Sequence, residues 1–436
     1  MRTSGSLVLD QRYRRNKKGR TEVPNDHGSE GIVLLPPSGP HRVGTEAMHL
    51  VDESRPDPWD TGCSRELMVQ LWYPAAPVAD QLSAPSRYLS LPVAALVLDS
   101  WAEEDEEFDP ALNGVLAGVR THAYDGAPVA SGAAMPIVLL SPGLGEYRTG
   151  LTCLAEELAS RGFVVASVDH PSDAAGVELP GGRVIAHQEP EFGGSEGDDE
   201  DGQDDGEFSD LVDRYLPTRV DDLRFVLDEL LAPHSRWYGL IDPARIGIAG
   251  HSLGGAAAVE AARLDSRPAG AAVIDGSLYG GVLTTGLDVP VLLCGLTPPD
   301  PNDPHTLAGW EQLWSLLRGP RCRATVRGAG HMSATDFDVL AGPLGLREPG
   351  HPDDLEAFGT LPSGRGVAVV RAVLTAFFEE HLTDRCPHLQ SQLDGLSEVS
   401  LHDRAGSETS PKTARPSRPC GTPSTTLAPQ KPHSPG

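Results

Sequence analysis

Gly250-His251-Ser252-Leu253-Gly254 sets a serine among small residues in a context suited to nucleophilic chemistry. The apolar run Arg245-Ile246-Gly247-Ile248-Ala249 before it reads as a short strand. Gly255-Ala256-Ala257-Ala258-Val259-Glu260-Ala261-Ala262 after it reads as a helix. A strand that turns sharply into a helix lifts the serine hydroxyl to the top of a sheet, and flanking glycines let the backbone turn without collisions. A serine so placed attacks a carbonyl carbon once a base takes its proton. The pattern occurs twice, because Gly193-Gly194-Ser195-Glu196-Gly197 fits as well. That second match lies in an acidic, glycine-rich run with neither strand nor helix around it, so context assigns the nucleophile to Ser252.

The base has to be a histidine downstream. His331 lies in Gly328-Ala329-Gly330-His331-Met332-Ser333, a glycine-rich loop just after a strand and close to the end of the fold, which makes it the candidate. His305, His351 and His381 lack that setting, and His251, adjacent to the serine, points away from the hydroxyl and reads as a packing residue. For the acid, Asp275 directly follows the strand Ala271-Ala272-Val273-Ile274, at the carboxyl end where the sites of open α/β sheets collect. Asp300 and Asp303, in a proline-rich loop after the next strand, are the alternatives. An oxyanion hole needs two backbone N–H groups. Leu253 supplies one, and Leu144, in the Gly143-Leu144-Gly145 turn after Pro136-Ile137-Val138-Leu139-Leu140, is the candidate for the other.

These side chains require a scaffold in which short apolar strands alternate with helices. The strands include 66–74, 136–140, 163–168, 245–249, 271–274, 289–294 and 324–326, with helices over 151–161, 218–231 and 367–382. That alternation predicts an α/β fold with a mostly parallel central sheet flanked by helices. Residues 1–42 are expected to be a flexible N-terminal arm and 43–383 one domain. Within that domain, 75–133 are expected to form a cap or lid and 189–213 an acidic, mobile surface loop. Residues 384–436, rich in Ser, Pro and Thr, are expected to be a disordered tail.

Composition narrows the partners. A net charge of −27 over 436 residues argues against nucleic acid, whose phosphates would be repelled. No apolar run is long enough to span a bilayer, so no stable membrane insertion is expected. The six cysteines have no C-x-x-C spacing and the histidines no H-x-x-x-H pair, so neither metal nor cofactor is expected. The basic N-terminus lacks the apolar stretch of a signal peptide, which predicts a cytoplasmic protein as written, or a secreted one if the start or export route differs.

Four stretches carry a resemblance to a family: Leu67-Met68-Val69-Gln70-Leu71-Trp72-Tyr73-Pro74, Pro142-Gly143-Leu144-Gly145-Glu146-Tyr147-Arg148-Thr149, Leu158-Ala159-Ser160-Arg161-Gly162-Phe163-Val164-Val165-Ala166 and Gly250-His251-Ser252-Leu253-Gly254-Gly255. Together, over about residues 43–382, they resemble the platelet-activating factor acetylhydrolases of plasma type (group VII phospholipase A2) and their actinobacterial lipase-like relatives. Pro142 stands where that family often has His. The resemblance implies the α/β-hydrolase fold and calcium-independent cleavage of short or oxidised acyl chains from small-molecule or lipid esters. It places the acid after the strand that follows the helix after Ser252, which selects Asp275. A lipase or cutinase-like polyester hydrolase of longer acyl specificity is the alternative enzyme. A non-catalytic binding protein on the same fold is the alternative outside catalysis.

Overall fold

Pro136 to Leu140 is apolar without interruption because both of its faces are covered. In the computed structural model this run lies in a strand, Met135–Ser141, whose side chains divide by alternation. Ile137 and Leu139 enter one core layer, with the helices Gln203–Leu231 and Leu253–Leu264. Val138 and Leu140 enter the other, with Thr152–Ser160 and Arg365–Leu382. The structure describes residues 31–77, 85–101, 109–188, 203–296, 304–348, 350–384 and 387–402, with side chains of 203–210 and 304–305 excepted.

The strands among them are β1 (Val43–Pro56), β2 (Ser64–Pro74), β3 (Pro85–Arg87), β4 (Arg120–Asp125), β5 (Met135–Ser141), β6 (Val164–Asp169), β7 (Gly176–Leu179), β8 (Arg183–Ala186), β9 (Ile241–His251), β10 (Gly270–Ile274), β11 (Val291–Leu296), β12 (Arg321–Val326) and β13 (Val399–His402). Eleven form one sheet in the order β13-β12-β11-β10-β9-β5-β6-β2-β1-β4-β3, and β7 and β8 form a separate hairpin. The run from β12 to β6 is parallel throughout. The carboxyl ends of β5, β9, β10 and β12 therefore open on one edge of the sheet, where such folds bind ligands.

Four segments depart from the sequence reading. Part of the expected 1–42 arm is fixed: Leu34 N donates to Arg120 O at 3.0 Å and Arg120 N to Ile32 O at 2.9 Å, with Ile32 and Leu34 buried. The apolar run Ile32-Val33-Leu34-Leu35 supplies the reason; residues 1–30 lie outside the described residues. The 75–133 segment, expected as a lid, builds the sheet edge with β3 and β4 in its described part. Its helices, Leu91–Trp101 and Ala111–Ala117, sink Val93, Val97, Leu98, Leu112 and Leu116 into the core.

The Gln203–Leu231 helix begins inside the expected 189–213 loop and passes through Pro217. Proline in a helix interior deletes one ladder hydrogen bond. Continuous burial of Val212, Tyr215, Leu216 and Val220 across it holds the helix together. Residues 189–202 lie outside the described residues. Within the expected 384–436 tail, residues 387–402 are built into the fold: Leu389–Leu393 is a helix with Leu389 and Leu393 buried, and β13 pairs antiparallel with β12.

Candidate active site

Ser252 follows β9 directly, in a backbone conformation that L-residues avoid, with φ 53° and ψ −126°. The surroundings enforce it. A Cβ on Gly250 would meet Gly254 at 2.1 Å, and a Cβ on Gly254 would meet Ser141 O at 2.0 Å, so both positions exclude a side chain. Ser252 N donates to Ile274 O at 2.9 Å, which ties the turn to β10. A strained non-glycine residue costs on the order of 1–3 kcal/mol and persists only where its surroundings over-determine it. Here the strain places the hydroxyl on the wall of a cavity that opens to solvent. Leu144, Leu211, Val212, Tyr215, Leu253, Ser277 and Tyr279 line the rest.

Asp275 follows β10 in a second positive-φ conformation, φ 49°. Its N–H donates to Cys294 O at 2.8 Å, and its Oδ1 accepts from Leu296 N at 2.8 Å. Oδ2 is thereby left to accept from His331 Nδ1 at 2.8 Å. His331 opens a short 3-10 turn, His331–Ala334, just past β12. With Nδ1–H held by Asp275, Nε2 is the basic end of the ring. A Cβ on Gly276 would strike Ser252 O at 2.2 Å, so the Asp275 turn lies directly against the serine backbone.

The other candidates are placed elsewhere. His351 caps the Pro352–Phe358 helix and His381 packs on Phe377 with ring centroids 4.8 Å apart. Ser195, Asp300 and Asp303 lie outside the described residues, as does the side chain of His305.

His251 does more than pack. Its Nδ1 faces Glu146 Oε1 at 3.2 Å, its Nε2 faces the carbonyl of His331 at 3.0 Å, and the two imidazole rings lie 4.5 Å apart. Both nitrogens meet acceptors, which suits the doubly protonated ring. Burial opposes the charge, yet the Glu146 carboxylate raises the His251 pKa above its ordinary value. Burial likewise opposes ionisation of Glu146, and His251 nonetheless holds that carboxyl below the usual range. Glu146 Oε2 also accepts from Gly143 N at 2.6 Å, so one carboxylate joins the oxyanion turn to the histidine loop.

A second Ser-His-Asp chain runs beneath the first. Ser141 Oγ lies 3.0 Å from His170 Nε2, and His170 Nδ1 lies 2.9 Å from Asp222 Oδ2. Arg65 adds a buried ion pair to Asp222 at 2.8 Å. Ser141, His170 and Asp222 are 0%, 2% and 0% exposed, so no substrate reaches that serine. Burial would raise the Asp222 pKa, but Arg65 drives it far below the usual carboxylate range; His170 is depressed by burial and stays neutral. Sequence reasoning missed Glu146, His170, Arg219 and Asp222. A signal existed for the last two, because Arg219 and Asp222 interrupt the apolar stripe of Val220, Leu223, Val226 and Leu227.

Residues 28–179 match the family described as platelet-activating factor acetylhydrolase, isoform II. A ferulic acid esterase from Streptomyces cinnamoneus has a similar structure, at 37% identity and a TM-score of 0.71, over 86% of this chain and 100% of that one. The chain belongs to the platelet-activating factor acetylhydrolase family. A probable 1-alkyl-2-acetylglycerophosphocholine esterase from Arthroderma benhamiae is 26% identical over 79% of this chain and 87% of its own. The platelet-activating factor acetylhydrolase of Canis lupus familiaris is 24% identical over 62% of each chain. The protein is accordingly a carboxylic ester hydrolase of α/β-hydrolase fold. No helix among the described residues is long and apolar enough to cross a membrane.

Proposed function

We propose that Ser252, His331 and Asp275 carry out the ester hydrolysis through an acyl-enzyme, on small esters with short acyl chains. The observation that carries this reading is the strained Ser252 on the wall of the cavity, with the Asp275–His331 pair in the turn packed against it. Ser252 Oγ attacks the ester carbonyl while His331 Nε2 takes its proton. The same nitrogen then protonates the departing alcohol, and a water activated by His331 releases the acid. Asp275 keeps Nδ1 protonated and stabilises the imidazolium. The N–H groups of Leu253, in the unpaired first turn of its helix, and of Leu144 receive the oxyanion.

Among the described residues no cation lines the cavity, and its apolar walls favour an uncharged acyl group. An acetyl or oxidised acyl chain at the sn-2 position of a phospholipid fits that wall, as does a simple short-chain ester. A second reading, an aromatic acyl group, is favoured by Tyr215 and Tyr279 on the same wall and by the likeness to the ferulic acid esterase. Ser252→Ala should lower kcat on p-nitrophenyl acetate to a few per cent of the wild type or less, and retained activity would sink the assignment. A panel of acetyl, butyryl and palmitoyl esters, methyl ferulate and a 2-acetyl choline phospholipid separates the readings. The short-chain reading expects the highest kcat/KM on an acetyl ester, and a ferulate maximum selects the aromatic one.

A further inference from the structure

We propose that Arg219 is the positioning residue of the oxyanion hole: it sets the plane of the Gly143–Leu144 peptide so that the Leu144 N–H faces the reacting carbonyl. The inference rests on the hydrolytic reading above. Arg219 projects from the Gln203–Leu231 helix and is 1% exposed. Its five N–H donors are all used. Nε and Nη2 hold the two oxygens of Asp173, Nη1 donates to Ser141 Oγ and to Pro142 O, and Nη2 donates to Gly143 O at 2.9 Å.

The two carbonyls are the point. In a trans peptide the C=O and the following N–H point in opposite directions. A guanidinium that grips Gly143 O from the protein interior thereby turns the Leu144 N–H the other way, toward the cavity that Leu144 lines with Ser252 and Leu253. The preceding peptide is pinned at both ends, since Pro142 O is held by Arg219 and Gly143 N by Glu146 Oε2. Glu146 N donates to Gly143 O at 3.2 Å and closes the turn. Among the described residues no group accepts from the Leu144 N–H. A planar fork reaches two successive carbonyls and a carboxylate at once, which a lysine ammonium cannot do. Asp173 fixes the fork in turn, and its Oδ1 lies 3.4 Å from Gly145 N.

The test is a double-mutant cycle on p-nitrophenyl acetate. Arg219→Lys keeps the cation opposite Asp173 and loses the fork. It should lower kcat about 10- to 100-fold with KM within about twofold, part of the loss expected for deleting an oxyanion donor. Leu144→Pro removes the donor itself, and in that background Arg219→Lys should cost less than about threefold. Equal losses in both backgrounds, or wild-type kcat for Arg219→Lys, would overturn the proposal. If Arg219→Lys does not fold, Arg219→Gln with Asp173→Asn, which removes both buried charges together, carries the same cycle and the same two outcomes. Ser252→Ala is measured alongside. Its activity reports on the hydrolytic reading alone, so an inactive Ser252→Ala with additive Arg219 losses condemns only the role given to Arg219.

Discussion

Two residues of the site, Ser252 and Asp275, hold positive-φ conformations, and both sit at the carboxyl ends of neighbouring strands. The strain at Asp275 serves its aim: with N–H on Cys294 O and Oδ1 on Leu296 N, only Oδ2 remains for His331. Asp275→Asn should lower kcat by a factor of roughly 10⁴, because the amide favours the wrong imidazole tautomer. Its melting temperature should stay within a few degrees of the wild type, since the carboxylate is partly open to solvent. A loss of less than tenfold, read by steady-state kinetics, would remove Asp275 from the site. The sequence could single out Ser252, Asp275 and His331 as candidates because each stands next to an apolar strand, and the structure sets His331 Nδ1 2.8 Å from Asp275 Oδ2. Leu144 and Leu253 were singled out through the same strands, and both line the cavity that Ser252 faces. Glu146 and His170 were not, because their roles come from contacts between segments 29 to 105 residues apart, and Arg219 and Asp222 showed only as polar breaks in an apolar stripe, without their partners.

At the scale of elements, the sequence resolves what is apolar and central and misses what is short and at the edge. β5, β6, β10, β11 and the second half of β9 are buried on both faces and read directly, and β12 reads through its alternating buried Cys322, Ala324 and Val326. β3 and β13 are brief, half-exposed strands at the two edges of the sheet, and β4, next to β3, is six residues long with only Thr121 and Ala123 buried. Pro217 hid the first half of the Gln203–Leu231 helix. That half matters for specificity, since Leu211, Val212 and Tyr215 form a cavity wall while no described residue of 75–133 does. Val212→Phe should therefore lower kcat/KM for a butyryl ester about tenfold relative to an acetyl ester. Leu98→Ala, in the Leu91–Trp101 helix, should cost about 2–5 kcal/mol of stability from the cavity it leaves and not move that ratio. Denaturant melts and acyl-chain profiles of the two variants check both expectations. A ratio that follows Leu98→Ala instead would return substrate selection to the 75–133 segment.

For the molecule as a whole, stability is set against pH by carboxyls that the fold buries. Burial raises Glu156 to about 8 and Asp336 to about 7, even though each accepts two backbone N–H groups. Glu156 Oε2 has no hydrogen-bond partner among the described residues, so nothing offsets the cost of charging it. A carboxyl whose folded pKa lies above its unfolded value stabilises the fold while it stays protonated. That contribution is complete below the unfolded pKa near 4.5 and is lost as pH rises through about 8. Asp222 and Glu146, held below their ordinary values, act in the opposite sense and lose their contribution as pH falls below the usual carboxylate range. The two sets together place the stability maximum on the mildly acidic side of neutrality. The net charge of −27 adds a repulsion that acts on wild type and variant alike, so a neutral substitution isolates one buried group. In Glu156→Gln the amide oxygen keeps both bonds to His122 N and Ala123 N and the side chain no longer ionises. Between pH 6 and pH 9 the wild-type melting temperature should fall, and the variant should fall by about 5 °C less, since on the order of 3 kcal/mol of this shift is lost within that window. Calorimetry at the two pH values measures it, and parallel declines would mean that Glu156 is already ionised in the folded protein at pH 6.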